Sequence, residues 1–231
     1  MPSAPAAPRP DPNQPSPAAF QDGVPVGLYW MSRYQAGTRT LEQNVWYFAP
    51  DGTVYRNLEH GFSAAELARH PGPRGRATAE SRTLQIRWQD ETTTTAHLER
   101  DRTGFTWDMG IFTPITRFGG PEEIPGTYSG GIGSVGVEGT AVVPQRLTLQ
   151  ADGTFAWEGV AFLGGSGTPA VRIVSAPDTT RGRWQLAAYS LSLEAESGLT
   201  LRRFAFPDDD DRTVVKPDRL FFGGEMLKRQ P

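Results

Sequence analysis

The chain has 231 residues, 26 glycines, 20 prolines, no cysteine and a net charge of −3. Disulfide and thiolate chemistry are therefore excluded, the mixed charge leaves no basic footprint for nucleic acid, and no apolar run is long enough for a helical membrane span. A length of this size fits one large or two small domains, and two units of about 95 residues can each bury a core.

Residues 1–26 carry prolines at positions 2, 5, 8, 10, 12, 15, 17 and 25 among Ala, Asp and Gln. Such a segment samples extended polyproline II and stays solvated. It lacks the basic start and apolar centre of a secretory signal, so a cytoplasmic location is the expectation. It reads as a linker or tail, or as an arm that docks on a protein partner or a second copy.

A first unit is expected over 27–118. Leu28–Tyr34 is an entry strand, and strands over 43–48 and 53–58 flank Asp51-Gly52. Asp-Gly is a strong short-range hairpin signal, because glycine takes φ > 0 without steric cost and aspartate tolerates it. Ser63-Ala-Ala-Glu66 has capping-box spacing and Pro71 ends the run, which predicts one short helix over 64–69. Thr83–Trp88 and Thr92–Glu99 form a second hairpin, with Leu84, Ile86 and Trp88 on one face and Gln85 and Arg87 on the other. Strands over 104–109 and 111–117 close the unit.

Phe118–Pro125 holds two glycines, two prolines and two acids in eight residues, which marks 119–125 as a linker. A second unit over 126–231 is predicted to hold strands at 126–130, 137–143, 145–150, 153–160, 182–187, 190–196, 199–206 and 219–227. Residues 161–181 read as a long Gly- and Ser-rich connection.

The two units share landmarks in one order. Gly27-Leu-Tyr29 and Gly126-Thr-Tyr128 open them, and Asp51-Gly52 and Asp152-Gly153 turn their hairpins. Gly75-Arg76 leads to Leu84-Gln-Ile86 as Gly182-Arg183 leads to Leu191-Ser-Leu193, and the glycine-to-leucine offset is nine in both. A repeat this long means two similar domains, since solenoid periods are only about 20–50 residues. Short strands at regular spacing with little helix indicate sandwich or barrel, and closure removes the unprotected edges. The expected fold is all-β: two tandem small antiparallel barrels, with one short helix in the first.

The opening Gly-x-Tyr, the meander of hairpins and the Asp-Gly turns make each unit resemble a calycin-type, lipocalin-like barrel. That family opens with Gly-x-Trp and packs a late basic residue on the tryptophan. Here Tyr29 and Tyr128 stand in its place, and Arg117 and Lys228 are the late basic candidates. The second unit is also similar to bacterial lipocalin-like domains with Gly-Arg-Trp, Leu-Ser-Leu, Arg-Arg-Phe and Phe-Phe-Gly-Gly patterns. The resemblance implies the fold; function must come from the site.

Motifs for chemistry are weak. Gly131-Ile-Gly-Ser-Val-Gly136 matches G-x-G-x-x-G, but the next residues, Val137-Glu-Gly-Thr-Ala-Val-Val-Pro144, read as strand where a dinucleotide site needs a helix N-terminus. His60, His70 and His97 have no metal-ligand spacing to one another. Asp208–Asp211 lacks the spacing and glycine of a calcium loop. No cofactor or metal is expected. Among the strand aromatics, Tyr29, Trp46, Trp107, Tyr128, Phe155 and Trp157 are either core or the lining of a cavity for an apolar ligand. Three functions are compatible with these residues: a non-catalytic binding protein for a small apolar molecule; a structural or adaptor protein docking through the arm and outer strands; and a barrel cyclase or isomerase with His97, Asp108 and Glu158 as acid–base groups.

Overall fold

In the computed structural model, residues 15, 18–38, 40–58, 62, 64–136, 139–164, 171–208 and 216–231 are described, with backbone alone over 131–136, 139–143, 161–164 and 171–177. The chain divides into two compact units, Met1–Ile115 and Thr116–Pro231.

The first unit contains β1 (Ala19–Gln21), β2 (Val24–Gln35), β3 (Thr40–Phe48), β4 (Thr53–Arg56), the short helix α1 (Ala64–Ala68), β5 (Arg74–Glu80), β6 (Thr83–Trp88), β7 (Thr93–Arg100), β8 (Phe105–Trp107) and β9 (Gly110–Pro114). Neighbours in sequence pair antiparallel, and β9 returns to pair with β2. Strands β2 to β9 thus form a closed eight-stranded barrel, and β1 adds a flap paired with the first residues of β2, Val24–Val26. The second unit contains β10 (Gly126–Gly136), β11 (Gly139–Leu149), β12 (Thr154–Gly164), β13 (Val171–Ala187), β14 (Ser190–Ala195), β15 (Thr200–Pro207), β16 (Arg219–Phe222) and β17 (Glu225–Arg229). It closes in the same way, through β10 and β17.

The duplicated turns are the same object twice. Ala49 N–H donates to Thr53 O and Gly52 N–H to Ala49 O; Gln150 N–H donates to Thr154 O and Gly153 N–H to Gln150 O. Gly52 and Gly153 take φ of +84° and +83°. These are three-residue turns with glycine in the left-handed position. Asp51 and Asp152 each accept the N–H of the threonine two residues on, at 2.8 and 2.9 Å; this bond at Asp51, and the Thr154 hydroxyl at 2.7 Å followed by the N–H at Asp152, hold the carboxyls below the usual range. Each glycine carbonyl then accepts from the next strand, from Ala77 N–H and Trp184 N–H. Gly75 and Gly182 sit beside this point, opposite Trp88 and Ala195. A Cβ on Gly75 would come within 2.8 Å of the Arg87 carbonyl oxygen, and one on Gly182 would collide with that of Glu194.

Each barrel is filled by inward-pointing side chains. In the first they include Tyr29, Met31, Trp46, Phe48, Leu84, Ile86, Phe105, Trp107 and Phe112; in the second, Tyr128, Leu147, Leu149, Phe155, Trp157, Leu191, Leu193, Leu201 and Phe222. Tyr29 and Tyr128 occupy corresponding places at the seams, opposite Trp46 and Leu147. Tyr128 Oη donates to Ile124 O at 2.7 Å and accepts from Arg229 Nη2 at 2.6 Å. The Arg229 guanidinium also lies 4.8 Å from the Tyr128 ring centre and donates to Pro125 O and Pro217 O. The late basic residue on the opening aromatic is therefore Arg229, one position past Lys228. Lys228 is exposed, because strand alternation turns it outward.

Several boundaries differ from expectation. Residues 19–26, assigned to the arm on proline content, fold as a hairpin with the first barrel. Its turn is a third Asp-Gly pair, Asp22-Gly23, with φ of 49° and 88°, the two-residue type that suits strand twist. Strand β5 escapes the hydrophobic pattern because its inward positions include only alanines, Ala77 and Ala79. Pro144 does not divide β11, and β12 and β13 run on through most of the expected 161–181 connection. Gly159, with φ of +80°, makes a bulge there. The predicted strand 219–227 is a hairpin turning at Gly223-Gly224. The helix expected at 64–69 forms over 64–68.

The Tyr128 hydroxyl bonds a charged group, whereas Tyr29 Oη has only carbonyls at 3.2 and 3.3 Å. Tyr128→Phe should therefore cost about 1.5–3 kcal/mol and Tyr29→Phe about 1 kcal/mol, measured by urea unfolding. Burial pushes the Tyr29 phenol up to about 12. Its contribution is complete below the unfolded value of about 10 and is lost as pH rises towards 12, so Tyr29→Phe should flatten the alkaline loss of stability.

Candidate functional site: the open end of the first barrel

The alternation that fills the first barrel brings polar groups to one end of it. From Tyr29 and Met31 the next inward position on β2 is Arg33, at the end where β3, β7 and β9 begin and β4, β6 and β8 finish. Register places Arg33 opposite Glu42 and Trp46 opposite Arg56. Arg33 is fully engaged: Nη2 reaches Glu42 Oε2 and Nη1 reaches Asp108 Oδ2, both at 2.7 Å. Gln35 donates to the same Glu42 oxygen at 2.8 Å, and Asn44 to Oε1 at 2.7 Å. Burial opposes ionisation of Glu42, but the Arg33 and Gln35 hydrogen bonds and the charges of Arg33 and Arg56 outweigh it and hold its carboxyl below the usual range.

Beneath this ion pair lies a recess of about 30 Å³, lined by Met31, Arg33, Trp46, Trp107, Asp108 and Phe112, among others. Arg56, Trp88 and Thr94 line it too, and the same three line an adjoining groove of about 480 Å³ bordered by Pro71, Pro73, Arg74 and Thr92. The Arg56 guanidinium lies beside the edge-to-face pair of Trp46 and Trp88, 5.9 Å from each ring centre, the two centres being 5.6 Å apart. Its strand end is tied to the following loop by Arg56 N–H to Pro73 O and by His70 Nε2 donating to Arg56 O at 2.8 Å.

Two donors here have no partner. Trp88 Nε1 donates to Thr94 Oγ1 at 3.0 Å and Trp107 Nε1 to Leu84 O at 2.9 Å. Trp46 Nε1 and Arg56 Nε are buried and unbonded, although Trp46 is only 3% exposed. A buried donor without an acceptor costs about 1–3 kcal/mol. The arrangement can therefore offer two N–H groups and a cation to an acceptor, inside an aromatic wall.

The expected binding residues divide. Trp46 and Trp107 line the recess. Tyr29, Tyr128, Phe155 and Trp157 lie in packed interiors, and Trp157 Nε1 donates to Gln145 Oε1 at 2.9 Å. The acid–base candidates are not brought together: His97 is exposed on β7, Asp108 is bound to Arg33, and Glu158 belongs to the second unit, exposed, 4.0 Å from Arg146. Gly131–Gly136 is strand, without a following helix. His60, Asp209–Asp211 and residues 1–14 lie outside the described residues, while Asp208 pairs with Arg219 at 3.2 Å. No group of three or more His, Asp or Glu among the described residues could hold a metal ion, and no helix among them is long and apolar enough to cross a membrane. Arg33 and Arg56 were missed as site residues, although each stands two positions beyond an inward apolar residue, Met31 and Val54, and so carries charge at a core-facing position.

Glu42 is ionised more readily folded than unfolded. Its contribution is complete above the unfolded value of about 4.3 and is lost as pH falls through the lower folded value. Glu42→Gln should reduce stability at pH 7 and flatten the acid limb below about pH 4.3, measured by urea unfolding across pH. No protein-family model, curated protein or solved structure matches this chain.

Proposed function

We propose that the chain is a non-catalytic binding protein, taking a small, mainly apolar ligand at the open end of its first barrel. The observation that carries this is the recess under Arg33 continuing into the groove past Trp88. The groove has the volume of a small-molecule site; Trp88, Pro71 and Pro73 give it an apolar wall, and Arg56, Arg74, Gln89, Asp90, Thr92 and Thr94 line the rest. The barrel interior itself is packed with side chains, so the ligand sits in the mouth and presses on Trp88. The closed eight-stranded meanders support the lipocalin-like reading of both units, and the seam arginine on Tyr128 supports it for the second.

The neutral probe N-phenyl-1-naphthylamine should gain fluorescence on binding the full chain. Trp88→Ala should weaken that binding about tenfold, while Trp184→Ala in the second barrel leaves it unchanged. Equal affinities for the wild-type and Trp88→Ala chains would contradict the placement.

A further inference from the structure

Register lets the two barrels be read against each other place by place. Tyr29 pairs with Trp46 and Trp46 with Arg56; Tyr128 pairs with Leu147 and Leu147 with Trp157. Gly75 pairs with Trp88, and Gly182 with Ala195. Four positions beyond the seam tyrosine, Arg33 faces Glu42 where Ile132 faces Val143. The places held by Trp46, Arg56 and Trp88 are thus held in the second unit by Leu147, Trp157 and Ala195. The second barrel closes on an all-strand core without a guanidinium or a second indole there, so closure does not require them. The second barrel leaves one buried donor unbonded, Gln145 Nε2; in the first, Trp46 and Arg56 leave two, a cost that the fold could reduce.

We propose that these donors form a carboxylate-binding subsite: Trp46 Nε1–H and Arg56 Nε–H receive the carboxylate of a small monocarboxylic acid whose apolar body lies over Trp88 in the adjoining groove. The proposal rests on the binding reading above and names the ligand class. Arg33 pairs with both Glu42 and Asp108 and so leaves that cluster one negative charge, which Arg56 balances. Arg56 is the cation that lines both the recess and the groove, and it lies beside the edge-to-face pair of Trp46 and Trp88. A recess of about 30 Å³ exceeds the roughly 10–15 Å³ of such volume that one water needs, so it has room for a carboxylate oxygen. A water molecule accepting both N–H groups is the competing occupant, and it would give no preference for an acid.

The test is calorimetric titration of the full chain, near pH 7.5, with 4-phenylbutyrate, 4-phenylbutyramide and 4-phenylbutanol. The acid should bind about tenfold more tightly than the amide or alcohol. Arg56→Gln, at a half-buried position, should abolish that preference, the acid falling to the affinity of the alcohol, while Trp184→Ala leaves the preference unchanged. Trp46→Phe should reduce it, and inorganic phosphate should not displace the acid. If acid, amide and alcohol bind equally, if the preference survives Arg56→Gln, or if phosphate displaces the acid at matched concentration, the carboxylate assignment is overturned while the groove remains a binding site. If none of the three binds and the probe does not bind either, both readings fall.

Discussion

Each sheet closes on the strand that opens its unit, and that closure constrains everything else. A strand with one neighbour exposes a row of backbone donors and acceptors; β2 and β10 have neighbours on both sides, so the meander has no long free edge. The price of closure is that every second residue must fit a confined interior. Tyr29 and Tyr128 stand at the two seams, with ring inside and hydroxyl turned to backbone carbonyls. In the second unit Arg229 caps this arrangement from the last strand. In the first, β9 offers Pro114 opposite Tyr29, and the β1 flap supplies the carbonyl of Ala19 instead.

Within that common frame the two interiors differ at both ends: beside the Asp-Gly turn Phe48 and Val54 stand where the second barrel has Leu149 and Phe155, and in the first barrel polar groups enter only at the other end. Where the second barrel has Leu147, Trp157 and Ala195, the first has Trp46, Arg56 and Trp88. The second barrel has Trp157 donating to Gln145, whose own Nε2 is unbonded; the first has Arg56 beside an edge-to-face indole pair, with two unbonded N–H groups. Packing explains the aromatic faces. It does not explain the donors, since hydrophobic residues of similar volume would close the barrel without leaving N–H groups unbonded. A ligand acceptor resolves this, and the Arg33–Glu42–Asp108 cluster holds the rim rigid around the place it would occupy.

The fold was largely legible because its signals are local. Asp51-Gly52 and Asp152-Gly153 fix hairpins through glycine backbone freedom, and Leu84/Ile86 and Leu191/Leu193 alternate with period two. What escaped depended on distant pairing. Strand β5 is held by β4 and β6 rather than by its own alanines, and β12–β13 extend through a segment whose composition suggests loop. The site was less legible for the same reason. Trp46 and Trp107 were recognisable as strand aromatics, but Arg56 becomes a site residue only once β4 is paired to β3 at Trp46. The alternation that makes Val54 inward also makes Arg56 inward, and that inference was available from the sequence.

The most direct measurement tracks the Trp46 indole N–H in a ¹H–¹⁵N spectrum, assigned by loss of its peak in Trp46→Phe. On saturation with 4-phenylbutyrate this peak should move downfield and its solvent exchange should slow, while those of Trp157 and Trp184 stay in place. A Trp46 peak that does not move when the acid is bound would contradict the central claim that this buried donor is kept for a ligand.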